Sequence, residues 1–147
     1  MNRLARVGVA LGASVAVTVV GYAVAPTSAA PPTAVGPGVV TVQVHIRHST
    51  FELDAPRVRV GTIVRFVVHN DDPIDHELVV GDAVVHLRHE RGTEASHPPV
   101  PGEVSVAPGR TALTFYEFDQ AGSVAYACHL PGHLSYGMVG AIEVVPG

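Results

Sequence analysis

Between Val40 and Arg47 apolar and polar side chains alternate without a break, Val40, Val42, Val44 and Ile46 against Thr41, Gln43, His45 and Arg47. Successive side chains of a strand point to opposite faces, so this pattern builds a strand with one buried and one wet face. Similar extended runs follow at Arg57–Val60, Ile63–His69, His76–Val80, Val104–Val106, Thr111–Phe118, Ser123–Cys128 and Met138–Val145. Turn-forming residues separate them: Gly61-Thr62, Asn70 to Pro73, Gly81-Asp82 and Pro108-Gly109. In Thr111–Phe118, Leu113 and Phe115 are expected near the core, together with Tyr116 or Phe118. Residues 86–103 are polar and rich in proline and glycine, and read as a long loop. No segment after residue 38 shows an apolar period of 3.6. Seven or eight short strands with frequent turns predict an all-β protein folded as a β-sandwich.

The N-terminus has a different character. Arg3 and Arg6 precede an uncharged stretch from Val7 to Ala25, and the small residues Ser28, Ala29 and Ala30 follow. This is the layout of a secretory signal over residues 1–30; an uncleaved anchor, tethering the chain to a membrane through residues 7–25, is the alternative. Either reading places the folded part outside the cytoplasmic membrane, in the periplasm or the extracellular space. Pro31, Pro32, Gly36, Pro37 and Gly38 mark residues 31–38 as a linker, which leaves 39–147 as one domain. The net charge is -4, and no basic run occurs beyond the extreme N-terminus, which argues against nucleic acid as a partner. A single cysteine excludes an intrachain disulfide framework and a CxxC…CxxC zinc site.

That cysteine carries the chemistry. Cys128, His133 and Met138 follow one another at Cys-x4-His-x4-Met spacing in the connection between the last two strands. Pro131-Gly132 supplies a tight turn able to bring His133 back beside Cys128, and Gly137 lets the backbone pass close just before Met138. His76, after the Asn70 to Pro73 loop, is a second candidate imidazole. Each residue alone also reads as ordinary: a buried thiol, a core thioether, a surface histidine. Together, a thiolate, two imidazoles and a thioether are a soft donor set that suits copper in both oxidation states.

Asp75-His76-Glu77, with Ala127-Cys128-His129-Leu130-Pro131-Gly132-His133 through Gly137-Met138-Val139-Gly140, resembles the cupredoxins, the family of plastocyanin, azurin and rusticyanin. The resemblance spans about residues 39–147. It implies a Greek-key β-sandwich and one type 1 copper ion, with His76 and His133 as imidazole ligands, Cys128 as thiolate and Met138 as axial ligand. It also implies one-electron transfer. Several members of the family carry Asn after the first ligand histidine, where it ties the ligand loops together. Glu77 stands there in this chain.

His86, His89 and His97 are additional to such a site. They fit a solvated polar loop, with a second copper or zinc site as the alternative. His45, His48 and His69 read as surface residues, and His129 as structural. The leading expectation is therefore a monomeric, exported electron carrier, docking redox partners through apolar residues such as Leu130, Pro131 and Leu134. A copper-binding or copper-tolerance protein that exchanges metal with other copper-handling proteins is the second. An enzyme is not expected: there is no His-x-His pair for further coppers, no H-E-x-x-H and no phosphate-binding glycine loop.

Overall fold

A computed structural model of the chain describes residues 32–54, 57–92 and 100–147. The expected signal or anchor and His97 lie outside the described residues. No helix among the described residues is long and apolar enough to cross a membrane.

The alternating segment that opens the domain forms β1 (Gly38–Arg47), with Val42, Val44 and Ile46 buried. It pairs antiparallel with β2 (Thr50–Leu53) and parallel with β4 (Thr62–Asn70), and β4 pairs antiparallel with β7 (Thr111–Phe118). The second sheet runs β3 (Arg57–Arg59), β9 (Val139–Val145), β8 (Gly122–Ala127), β5 (His76–Gly81), β6 (Glu103–Val106). The chain passes repeatedly between the sheets, so each contributes one inner face to a shared core. Val64, Phe66, Val68 and Phe118 come from the first sheet, and Val58, Leu78, Val80, Val106, Ile142 and Val144 from the second. Each such side chain contributes about 1.5–3 kcal/mol when fully buried. Cys128 and Met138 belong to the same cluster. The sulfur-bearing residues are therefore held by the core itself. In the expected linker, Val35 bridges to Val58 in parallel and packs against the core.

Two expectations are corrected. Leu113 and Phe115 face solvent, at 55% and 47% exposure, while Thr114 and Phe118 are buried. Residues opposite each other across a ladder share a face, and the register pairs Thr62, Val64 and Phe66 with Phe118, Tyr116 and Thr114. Because β4 points Val64 and Phe66 inward, β7 must turn its even-numbered residues inward too. Thr114 tolerates burial because its hydroxyl accepts from the Gly102 amide and donates to the Val100 carbonyl.

The second correction concerns residues 86–103. Their first part belongs to a helix, α1 (Ala83–Glu90), which starts where a turn was expected. Asp82 is its N-cap and accepts hydrogen bonds from the amides of Val84 and Val85. Arg88 and His89 lie in the last turn, where cations suit the helix dipole. Of its residues only His89 is buried, and Val84 and Leu87 are exposed. The inner face is thus not marked by apolar residues, which is why no 3.6-residue period is visible.

Candidate metal centre

β5, β8 and β9 are neighbours, antiparallel in turn, so the start of β5, the end of β8 and the start of β9 share one end of the sheet. His76 opens β5, Cys128 follows β8 directly, and Met138 immediately precedes β9. The connection between Cys128 and Met138 folds back on itself. The amide of Cys128 donates to the Met138 carbonyl at 3.1 Å, and the amide of Met138 to the His133 carbonyl at 3.1 Å. His133 donates in turn to Leu130 at 3.0 Å. Gly132 takes φ 88°, a left-handed conformation that glycine adopts without steric cost.

This framework places the Cys128 Sγ 3.2 Å from the His133 Nδ1, with the His76 and His133 rings 4.8 Å apart. Among the described residues, His76, Cys128 and His133 are the group whose ligand atoms lie within 4.8 Å of one another. His76, Cys128 and Met138 are buried, and His133 is half-buried. The Nδ1 of His76 is buried without a hydrogen-bond partner. An orphaned nitrogen of this kind is costly unless a ligand completes it. Beside a thiol and a second imidazole, it fits a soft metal ion.

The outer contacts are equally specific. The Nε2 of His76 lies 3.0 Å from Asp72 Oδ2. Asp72 also accepts from the amides of His48 and Ser49, at 2.7 and 2.8 Å. Asn70 fixes the loop: its side-chain NH2 donates to the Ile74 and Val106 carbonyls, and its oxygen accepts from the Asp72 amide. Composition marks Asn70 to Pro73 as a turn but conceals these roles, because the partners lie on β1–β2 and β6. Glu77 accepts from the His129 amide at 2.8 Å. The carboxylate therefore ties β5 to the loop that follows Cys128.

Burial raises the Cys128 thiol above its ordinary value, and the charge of Glu77 adds to this; the amides of Glu77 and Leu130 oppose it. Burial lowers His133, with His76 beside it acting in the same direction. His129 is lowered by burial and by His86. Asp72 is pushed up by burial, but the Ser49 and His48 amides and then His76 outweigh this and hold it low. His129 and His133 thus resist protons in the fold that the unfolded chain takes up below about pH 6.5. Their share of stability is present above that pH and lost as pH falls through it. The metal-free domain should therefore show a melting temperature that falls between pH 7 and pH 5. A flat profile across that window would contradict the burial of these two rings.

α1 replaces the loop expected around His86 and His89 and aligns both, three residues apart, with His129. His86 Nδ1 lies 2.9 Å from His129 Nε2, and the His89 and His129 rings are 5.7 Å apart. His89 Nε2 bonds Glu103 Oε2 at 3.1 Å, and the Nδ1 of His129 is buried without a partner. His45 and His69 stack on each other at 4.6 Å, with His45 bonded to Asp71 and His69 to Gln43 and Thr111.

Comparison with known proteins agrees with this geometry. Residues 39–145 match the family model of copper-binding proteins of the plastocyanin/azurin family. The chain is 39% identical over 90 residues to a copper-resistant cuproprotein, CopI, of Rubrivivax gelatinosus, covering 59% of this chain and 54% of that one. It is 37% identical over 98 residues to the protein of the same name from Vibrio cholerae, covering 65% and 57%. The chain thus spans little more than half the length of these relatives. Among solved structures, auracyanin B superposes with a TM-score of 0.59 at 21% identity, covering 78% of this chain and 94% of that one. The chain belongs to the plastocyanin/azurin family of copper-binding proteins, with the cupredoxin fold.

Proposed function

We propose that this protein is an exported copper-tolerance protein whose working centre is one type 1 copper ion held by His76, Cys128, His133 and Met138. The observation that carries the centre is the 3.2 Å approach of Cys128 Sγ to His133 Nδ1, with a ligand nitrogen of His76 within 4.8 Å of both and the Nδ1 of His76 buried without a partner. Copper bound there supplies a one-electron couple. The chain's own residues keep the site stiff: His76, Cys128 and Met138 stand at strand ends, the two sulfur-bearing ones inside the hydrophobic core, and Glu77 clamps the loop that carries His133. Half-buried His133, beside exposed Pro131 and Tyr136, offers a route to redox or copper-handling partners.

Tolerance rather than a purely electron-carrying role is supported by the relatives, which are named copper-resistant cuproproteins. The imidazoles of His86, His89 and His129 also stand together, but their nitrogens bond one another, the Ala125 carbonyl and Glu103, so a further copper or zinc ion would have to displace those bonds. The reading does not call for catalysis. Copper titration of the domain separates the two roles. Tolerance predicts a second tight equivalent beyond the coloured one, lost in the double variant His86→Ala/His89→Ala while the colour stays. A dedicated carrier predicts a single equivalent, retained through repeated reduction and reoxidation.

A further inference from the structure

The loop before β5 puts a carboxylate behind a metal ligand. Asp72 Oδ2 meets His76 Nε2 at 3.0 Å, and the side chains are 10% and 0% exposed. The rest of the carboxylate is saturated from the tip of the β1–β2 hairpin: Oδ1 takes the His48 amide, and Oδ2 also takes the Ser49 amide. Both donors adopt the left-handed conformation, at φ 52° and 54°, which turns successive amides toward one anion. Positive φ at both central residues is what a two-residue hairpin between Arg47 and Thr50 asks for, and Asp72 sits where it accepts both amides.

We propose that Asp72 is a positioning residue for the copper ligand His76: it fixes the imidazole with its proton on Nε2, bares Nδ1 toward Cys128 and His133, and biases the site toward the more highly charged metal state. The inference rests on the type 1 reading above and adds a source of its tuning. An ionised carboxylate can only accept, so the proton of a neutral His76 lies on Nε2 and the lone pair on Nδ1. This matches the buried, unpartnered Nδ1. A buried anion one hydrogen bond behind the ligand makes the imidazole a stronger donor. It favours Cu(II) over Cu(I), because the interaction grows with the charge of the ion in front of it. The hairpin tip enters the same chain of bonds, so its amides help set the site's preference without approaching the metal.

Asp72→Asn tests this. The amide oxygen can keep the Oδ2 position, with its bonds from Ser49 and His76, while the charge and the bond from the His48 amide to Oδ1 are lost. The variant should keep the Cys128 chromophore and lose about tenfold more affinity for Cu(II) than for Cu(I). Tenfold in that ratio corresponds to a reduction potential about 59 mV higher. If Asp72 only braces the hairpin, the variant melts earlier with an unchanged potential, and the proposal is overturned. The nitrogen-15 shifts of His76 in the metal-free wild-type protein at neutral pH give a second reading that needs no variant. A proton on Nε2 alone supports the proposal, and a proton on Nδ1, by itself or together with one on Nε2, overturns it even where Asp72→Asn fails to fold. Failure of the type 1 reading is separately visible as wild-type copper protein without a thiolate band.

Discussion

Cys128→Ser should yield a folded domain that no longer shows an intense visible charge-transfer band with copper. Its paramagnetic spectrum should become that of copper bound by nitrogen and oxygen. Cys128 is fully buried against the core, and serine is close enough in size to occupy the space. The cost to the metal-free fold is that of a buried hydroxyl in place of a thiol, about 1–3 kcal/mol where it finds no partner. The cost to the metal is larger. Substitutions behind a ligand lower affinity about 10–100-fold, and loss of the thiolate itself should exceed that range. Absorption and affinity measured on the same preparation check both parts. A variant that kept the band would locate the chromophore elsewhere.

Removing copper should lower thermal stability by a comparably large amount without unfolding the domain. An ion that binds only the folded chain stabilises it by about 4 kcal/mol at a free concentration a thousand times its dissociation constant. For a domain of this size that is about 15 °C in melting temperature. The metal-free protein should still melt cooperatively. Its ligand loop is held by backbone bonds from Cys128 to Met138 and from Met138 to His133, and by Glu77 on the His129 amide. Scanning calorimetry of the holoprotein before and after chelation measures both. Equal melting temperatures would show that the fold gains nothing from the ion.

Much of this was legible in the residues. Alternation from Val40 to Ile46 announces a half-buried strand, and the Pro131-Gly132 turn in the Cys-x4-His-x4-Met run announces a loop that brings His133 back beside Cys128. Both are signals with a fixed period or a fixed offset. Elsewhere the information was tertiary. The inward face of β7 is decided by its pairing with Val64 and Phe66, so the larger Leu113 and Phe115 end outside and Thr114 inside. α1 buries a histidine rather than an apolar stripe, and its one local signal was the Asp82 cap. Glu77 looked like a departure from the family and proves to make the loop contact by other means. Asp72 looked like one more turn residue; its role exists only because the β1–β2 hairpin folds down over the loop.

The central claim is that one sulfur from Cys128 and imidazoles from His76 and His133 converge on a single copper ion, with Met138 beyond them. X-ray absorption at the copper edge of the domain loaded with one equivalent, oxidised and then reduced, tests it most directly. The account predicts one short sulfur scatterer and two imidazole nitrogens in both states, with bond lengths that change little on reduction. A copper shell of nitrogen and oxygen alone, or one that rearranges when the electron arrives, would contradict it.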